Sequence, residues 1–194
     1  MPSRRQFCAA VATSVALGPH VVGSATASHY VDIGIYVTRR AIEEHGGEYA
    51  MALSNVVEAV FRQTVPDAEY NIGPASIVKT PDETTWGINR AYSWWKGAEK
   101  ADYDSSLLVF AADEVNWGSE LGIASYDRPW GVCLGYERMD ERLFQQLALH
   151  EIGHTKDLEH DDGYVRDGRM SIMQCCLDYE PVLEFSEQST AKLN

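Results

Sequence analysis

The chain predicts an α+β domain with an α/β-like, mostly parallel sheet, and three observations carry that reading. Val31, Ile33, Ile35 and Val37 alternate with Asp32, Gly34 and Tyr36, the period of a half-buried strand. Two helical stripes follow, Leu53, Val56, Val57, Val60 and Phe61, then Ile88, Tyr92 and Trp95. Ser106–Ala112 is a continuous apolar run of strand length, which suits a strand covered on both faces. No internal repeat, low-complexity tract or linker interrupts the pattern, so strands and helices interleave within one domain.

The elements are read in chain order. Residues 1–27 predict a targeting segment: Ser3-Arg4-Arg5-Gln6-Phe7 is a twin-arginine export signature, a short apolar run spans Cys8 to Leu17, and Ala25-Thr26-Ala27 offers small residues for cleavage. Cys8 opens the apolar run instead of following it, which excludes a lipoprotein reading. Residues 28–194 are then a single secreted domain. After the first strand, Gly46-Gly47 marks the start of the long helix or a break in it, and Pro66 ends it. Ala68–Ile72 and Ser76–Lys79 predict two short strands. Thr84 or Thr85 is the candidate N-cap of the Ile88 helix, and Trp94-Trp95 reads as packing. Leu121–Ser125 and Gly131–Tyr136 predict two more short strands. A helix from about Asp140 to Thr155 places Leu143, Leu147, His150 and His154 on one stripe, Phe144, Ala148 and Ile152 on another, and Leu149 on a third. A helix apolar on most sides is central to a fold.

Composition narrows the partners. The net charge is −13 and the whole chain has five lysines, a balance that argues against nucleic acid and anionic membranes. Acidity, lysine poverty and the twin-arginine signature together predict a halophilic source. No apolar run is long enough for stable membrane insertion. Of the four cysteines, Cys133, Cys175 and Cys176 remain after cleavage; Cys133 either pairs with one of the other two or all three are small buried hydrophobes. The count excludes a zinc site of four thiolates. The sequence leaves the oligomeric state and calcium binding open.

The chemistry lies in His150-Glu151-Ile152-Gly153-His154, with His160 six residues on. Histidines four apart on a helix point the same way and can share one Zn²⁺, while the adjacent glutamate stands beside the metal's open position. A third imidazole leaves a fourth place for water, which is a hydrolytic arrangement. A random chain of this composition would show the five-residue motif about one time in a hundred, and with the third histidine about one in two thousand. His160 reaches the same metal only if the chain turns after His154. Asp157 stands where such a turn needs a left-handed residue, and Asp tolerates that backbone better than most. Were the helix instead to continue through Asp157, Asp161 and Asp162 would be the alternative oxygen ligands.

His150–His160 resembles the zinc signature of the metzincin clan of zinc metalloproteases, here of an archaeal, halophilic, secreted type, with Asp157 as the departure. Met173, in Ser171-Ile172-Met173-Gln174, resembles the clan's methionine turn. Gly122, Ile123 and Ala124 resemble its substrate-binding edge strand, and Phe185-Ser186 resembles the start of its final helix, with Ser186 as N-cap. The resemblance implies a zincin fold: a twisted, mostly parallel sheet with an antiparallel edge strand, two long helices including the zinc helix, and a C-terminal subdomain. It implies one catalytic Zn²⁺ on His150, His154 and His160, a polypeptide substrate, and endopeptidase activity by a zinc-activated water with Glu151 as general base. Some members add a tyrosine ligand two residues after the methionine; here that place is Cys175, and Tyr179 nearby takes no assigned role. The metal centre by itself also suits a zinc hydrolase of a non-peptide amide or ester, or a non-catalytic zinc-binding domain.

Overall fold

The computed structural model describes residues 29–81, 86–98, 102–116, 121–126, 128–135, 140–174 and 179–194. Residues 1–27, the candidate cap residues Thr84 and Thr85, Tyr136, and Cys175 and Cys176 lie outside the described residues. Five strands form the main sheet in the order β2-β1-β4-β7-β6: β1 (Tyr30–Thr38), β2 (Glu69–Val78), β4 (Ser105–Phe110), β6 (Gly122–Ala124) and β7 (Trp130–Leu134). Every neighbouring pair is parallel except β6 with β7, which is antiparallel and puts the odd strand at the edge.

Helices cover both faces. On one face, α2 (Tyr49–Thr64) and α4 (Glu141–Thr155) pack on Ile33, Ile35, Leu107, Val109 and Cys133. On the other, α3 (Ile88–Ala98) packs through Ile88, Ala91 and Trp95 on Tyr36, Leu108, Phe110 and Val132. This explains the continuous apolar run of β4: Leu107 and Val109 face one layer, Leu108 and Phe110 the other, and all four are buried. The same layering corrects the reading of β1 as half-buried. Its alternate residues meet aromatic rings instead of water: Tyr36 sits edge-on to Trp95 at 4.8 Å, and the Tyr103 ring lies over Gly34, where a Cβ would stand 2.5 Å from it. Trp95 is buried and Trp94 packs against Trp86 and Phe110.

Two other expectations change. The glycine pair separates two helices, α1 (Arg39–His45) and α2, with Gly46 at φ 90 after α1 and Thr38 capping α1 by accepting from the Ala41 N–H at 3.1 Å. The two short strands expected at 68–72 and 76–79 are one strand, β2, with a bulge at Ala75: Ile35 pairs with Pro74 and Tyr36 with Ser76. An edge strand tolerates both devices, because Pro74 lacks an N–H that a second neighbour would need.

The C-terminal part folds as a small subdomain. β8 (Val165–Arg166) and β9 (Arg169–Met170) form a hairpin across Asp167 and Gly168, at φ 52 and 76, the left-handed pair a two-residue turn demands. β10 (Glu180–Pro181) joins β9 in parallel. β3 (Trp86–Gly87) and β5 (Val115–Asn116) make a separate two-residue pairing. α5 (Glu187–Leu193) is capped by Ser186, whose hydroxyl accepts from the Ser189 N–H at 3.0 Å. Among the described residues no helix is long and apolar enough to cross a membrane.

Candidate metal centre

Asp140 starts α4 by accepting from the Leu143 N–H at 2.9 Å, which sets the phase of every later residue on the helix. One turn apart, His150 and His154 then project from one face, and both are buried. The helix is tied at both ends to what surrounds it. Gln146 donates to the carbonyls of Met170 at 3.2 Å and Ser171 at 2.9 Å, and the Thr155 hydroxyl meets that of Ser105 on β4 at 2.7 Å.

After Thr155 the chain reverses. Leu158 N–H donates to Gly153 O at 3.1 Å and Asp157 N–H to His154 O at 3.2 Å, a Schellman motif with Asp157 at φ 64. The turn buries Leu158 and delivers its carbonyl to His154 Nδ1 at 2.8 Å. Glu159 and Asp162 then form a capping box around the 3₁₀ turn His160–Asp162. Asp162 is not turned toward the histidines. Its buried carboxylate accepts from Glu159 N–H at 2.7 Å, Gln188 Nε2 at 2.9 Å and Lys192 Nζ at 2.8 Å, so it fastens the turn to α5. Asp161 is exposed and belongs to no metal-holding group among the described residues.

These turns bring three imidazoles together. The Nε2 atoms of His150 and His154 are 3.0 Å apart, and His160 Nε2 is 3.2 Å from each. The tautomers follow from their partners: His150 Nδ1 is 2.9 Å from Ile172 O and His154 Nδ1 contacts Leu158 O, and a carbonyl can only accept. Each Nδ1 therefore carries the proton, and the Nε2 lone pairs face one another. Burial, then the neighbouring His154, holds His150 down at about 3, and burial also lowers His154, so protonation does not relieve the clash of lone pairs. A cation does. Four-coordinate zinc with bonds of about 2.0–2.1 Å separates its ligand atoms by about 3.3 Å, close to the spacing here. The donor set fits the metal that the motif implies.

Glu151 is buried beside the cluster, its carboxyl pushed up to about 8 by that burial, and Oε2 has no hydrogen-bond partner among the described residues. Its position depends on Gly122 of the edge strand, where a Cβ would stand 2.3 Å from Glu151 Oε1. The histidines and Glu151 lie in a cleft of about 380 Å³. Gly122, Ile123 and Ala124 line one side; Leu143, Gln146, Leu147, Met170 and Ile172 line another. Met173 lies under the helix rather than in the cleft: it is fully buried, and a Cβ at Gly153 would be 2.4 Å from its sulfur. The turn that contains it, closed by Gln174 N–H to Ser171 O at 3.1 Å, also presents Ile172 O to His150.

Two parts of the cleft had no advance notice in the sequence. The apolar wall comes from α4 itself and from Met170 and Ile172, and the Leu143–Leu147 stripe was its only signal. Tyr126 also lines the cleft, its ring edge-on to His154 at 5.0 Å. Burial, then Glu159 and Glu151, raise its phenol above the ordinary value, so it carries its proton. Cys133 is buried in β7 with a free thiol.

No family model and no curated protein matches this chain. Among solved structures, the chain is similar to the crystal structure of archaemetzincin from Methanopyrus kandleri, with a TM-score of 0.59 over 89% of this chain and 97% of that one, at 14% identity. The shared property is the fold, a metzincin-like arrangement of sheet and helices.

Proposed function

We propose that the chain is a zinc-dependent endopeptidase. One observation carries the reading: three Nε2 atoms within 3.2 Å of one another, beside a buried carboxyl, in a cleft bounded by the outer strand of a sheet. Zinc, when bound, lowers the pKa of water to about 7 and polarises a carbonyl oxygen. His150, His154 and His160 would hold it, their rings oriented through Ile172 O and Leu158 O. An extended polypeptide would pair with the open edge of β6, where Gly122 and Ala124 let a second backbone come close. Glu151 takes the proton from the attacking water as the new C–O bond forms, and passes it to the leaving amine as the C–N bond breaks. The edge strand is what favours a polypeptide over a small amide or ester.

Assay of the purified protein on denatured protein substrates tests this. Cleavage is expected with zinc, is lost with a chelator and restored by zinc, and falls at least about 10²-fold in Glu151→Ala, which keeps its metal. Stoichiometric zinc with no peptide cleavage would replace this reading by a hydrolase of small amides or esters, or by a zinc-binding domain. We also propose that residues 1–27 direct twin-arginine export of a halophilic, secreted protein. Replacing Arg4 and Arg5 by lysine should retain the protein inside the cell.

A further inference from the structure

Beyond the histidines and Glu151, few side chains among the described residues of the cleft can donate a hydrogen bond to a reacting carbonyl. The Gln146 amide N–H₂ is committed to the carbonyls of Met170 and Ser171. Gln174 lines the cleft from the methionine turn, which its backbone N–H closes onto Ser171 O. Tyr126 is different. Its ring stands edge-on against the metal-facing His154, 5.0 Å between centroids, and its hydroxyl makes no hydrogen bond among the described residues. The residue before it is tied to the helix layer, because Tyr92 of α3 donates to the Ser125 hydroxyl at 2.6 Å. It also follows the edge strand by two residues, so a peptide lying along Gly122–Ala124 must pass it. Tyr126 is 46% exposed, so solvent or a bound substrate can reach it.

We propose that Tyr126 is a further catalytic residue: its phenol O–H donates a hydrogen bond to the carbonyl oxygen as that oxygen gains negative charge under attack. The proposal rests on the peptidase reading. The phenol keeps its proton throughout; the proton balance runs from water through Glu151 to the amine, and the tyrosine contributes only a dipole aimed at developing charge. A donor that acts on the tetrahedral oxyanion and not on the planar carbonyl stabilises the transition state selectively, which raises kcat with little effect on KM.

The test uses the zinc-loaded protein and two calorimetric probes, a phosphinic peptide that mimics the tetrahedral anion and the corresponding carboxylate product peptide. Tyr126→Phe retains the ring against His154 and should keep zinc affinity and product-peptide affinity within about twofold. It should weaken phosphinic-peptide binding, and lower kcat at constant KM, by roughly 10²-fold. Phosphinic binding equal to that of the wild type would overturn the proposal, as would equal losses for both probes, which mark general contact. Tyr126→Ala should add a loss of zinc affinity through the missing ring. If the wild type binds the phosphinic peptide yet cuts no peptide, the peptidase reading falls, and the drop in Tyr126→Phe still establishes the hydroxyl as an oxyanion donor.

Discussion

At Gly122 an added methyl would stand 2.3 Å from Glu151 Oε1 and 2.7 Å from its carboxyl carbon, so nothing larger than hydrogen fits without moving the carboxylate. The neighbouring strand gives little room for the backbone to retreat, since Gly122 is paired to Cys133 of β7 and that residue is fully buried. The histidine rings are oriented from other segments, His150 by the carbonyl of Ile172 and His154 by that of Leu158. Gly122→Ala should therefore separate metal binding from turnover. Zinc content and zinc affinity should match the wild type, while peptide hydrolysis falls roughly 10²-fold, the usual cost of displacing a reacting group by about 1 Å. Metal analysis beside steady-state kinetics checks it; full activity would mean that the carboxylate is not held where β6 pins it. Gly153 plays the matching part beneath the helix, where the space above its Cα is occupied by the Met173 sulfur.

The turn and helix that present His160 act as one device. Asp162, with its carboxylate only 1% exposed, joins the Glu159 N–H, Gln188 and Lys192, and its carbonyl accepts from the hydroxyls of Ser186 and Ser189. Asp162→Ala leaves the Glu159 N–H without its acceptor and uncouples α5 from the 3₁₀ turn. Lys192 is 44% exposed at its side chain and can return to water, so the stability loss should be about 1–3 kcal/mol, set by the stranded N–H and the amide of Gln188. The larger signature should be in the metal: a zinc Kd weakened roughly 10–100-fold, as for other groups that orient a ligand at second hand. Competitive zinc titration decides, and an unchanged Kd would show that His160 finds its place without α5. This contrast also marks what the sequence could disclose. The spacing of His150 and His154, the start of their helix near Asp140 and the left-handed turn at Asp157 are local consequences of neighbouring residues, and they were legible. The layer that meets Asp32, Gly34 and Tyr36 was not, because alternation reads alike whether the second face meets water or the ring of Tyr103. The two short strands read at 68–72 and 76–79 failed for a related reason: only the place on the sheet edge lets one strand run through Pro74 and a bulge. Tyr126 and the Leu143–Ile172 wall depend on which distant segments close over α4, information that no window of the chain contains.

The whole molecule is arranged so that the three imidazoles are held both from the sheet layer and from the C-terminal subdomain. α4 spans the centre, joined to the sheet through Thr155 and Ser105, and to the C-terminal subdomain through Gln146 and the carbonyls of Met170 and Ser171. His160 belongs to a turn fastened to the last helix. A metal held by these three residues would bridge the sheet layer and the C-terminal subdomain, and so favour the folded chain. Mass action then stabilises the native state by about 4.1 kcal/mol at free zinc 1,000-fold above Kd. For a domain of this size each kcal/mol is worth roughly 2–4 °C in Tm, so chelation should lower Tm by roughly 8–16 °C, with full recovery on adding zinc. Removing the metal also leaves the Nε2 lone pairs of His150 and His154 3.0 Å apart, a repulsion that the apo protein must relieve by parting them. Part of the loss should therefore be local to His160, the exposed member of the three, and hydrogen exchange should rise first in residues 157–163 and in α5. His160→Ala provides the control: its Tm should lie near that of the chelated wild type and respond weakly to zinc. A chelated wild type that melts at the same temperature as the zinc-loaded form would show that the three imidazoles hold no metal that matters to the fold.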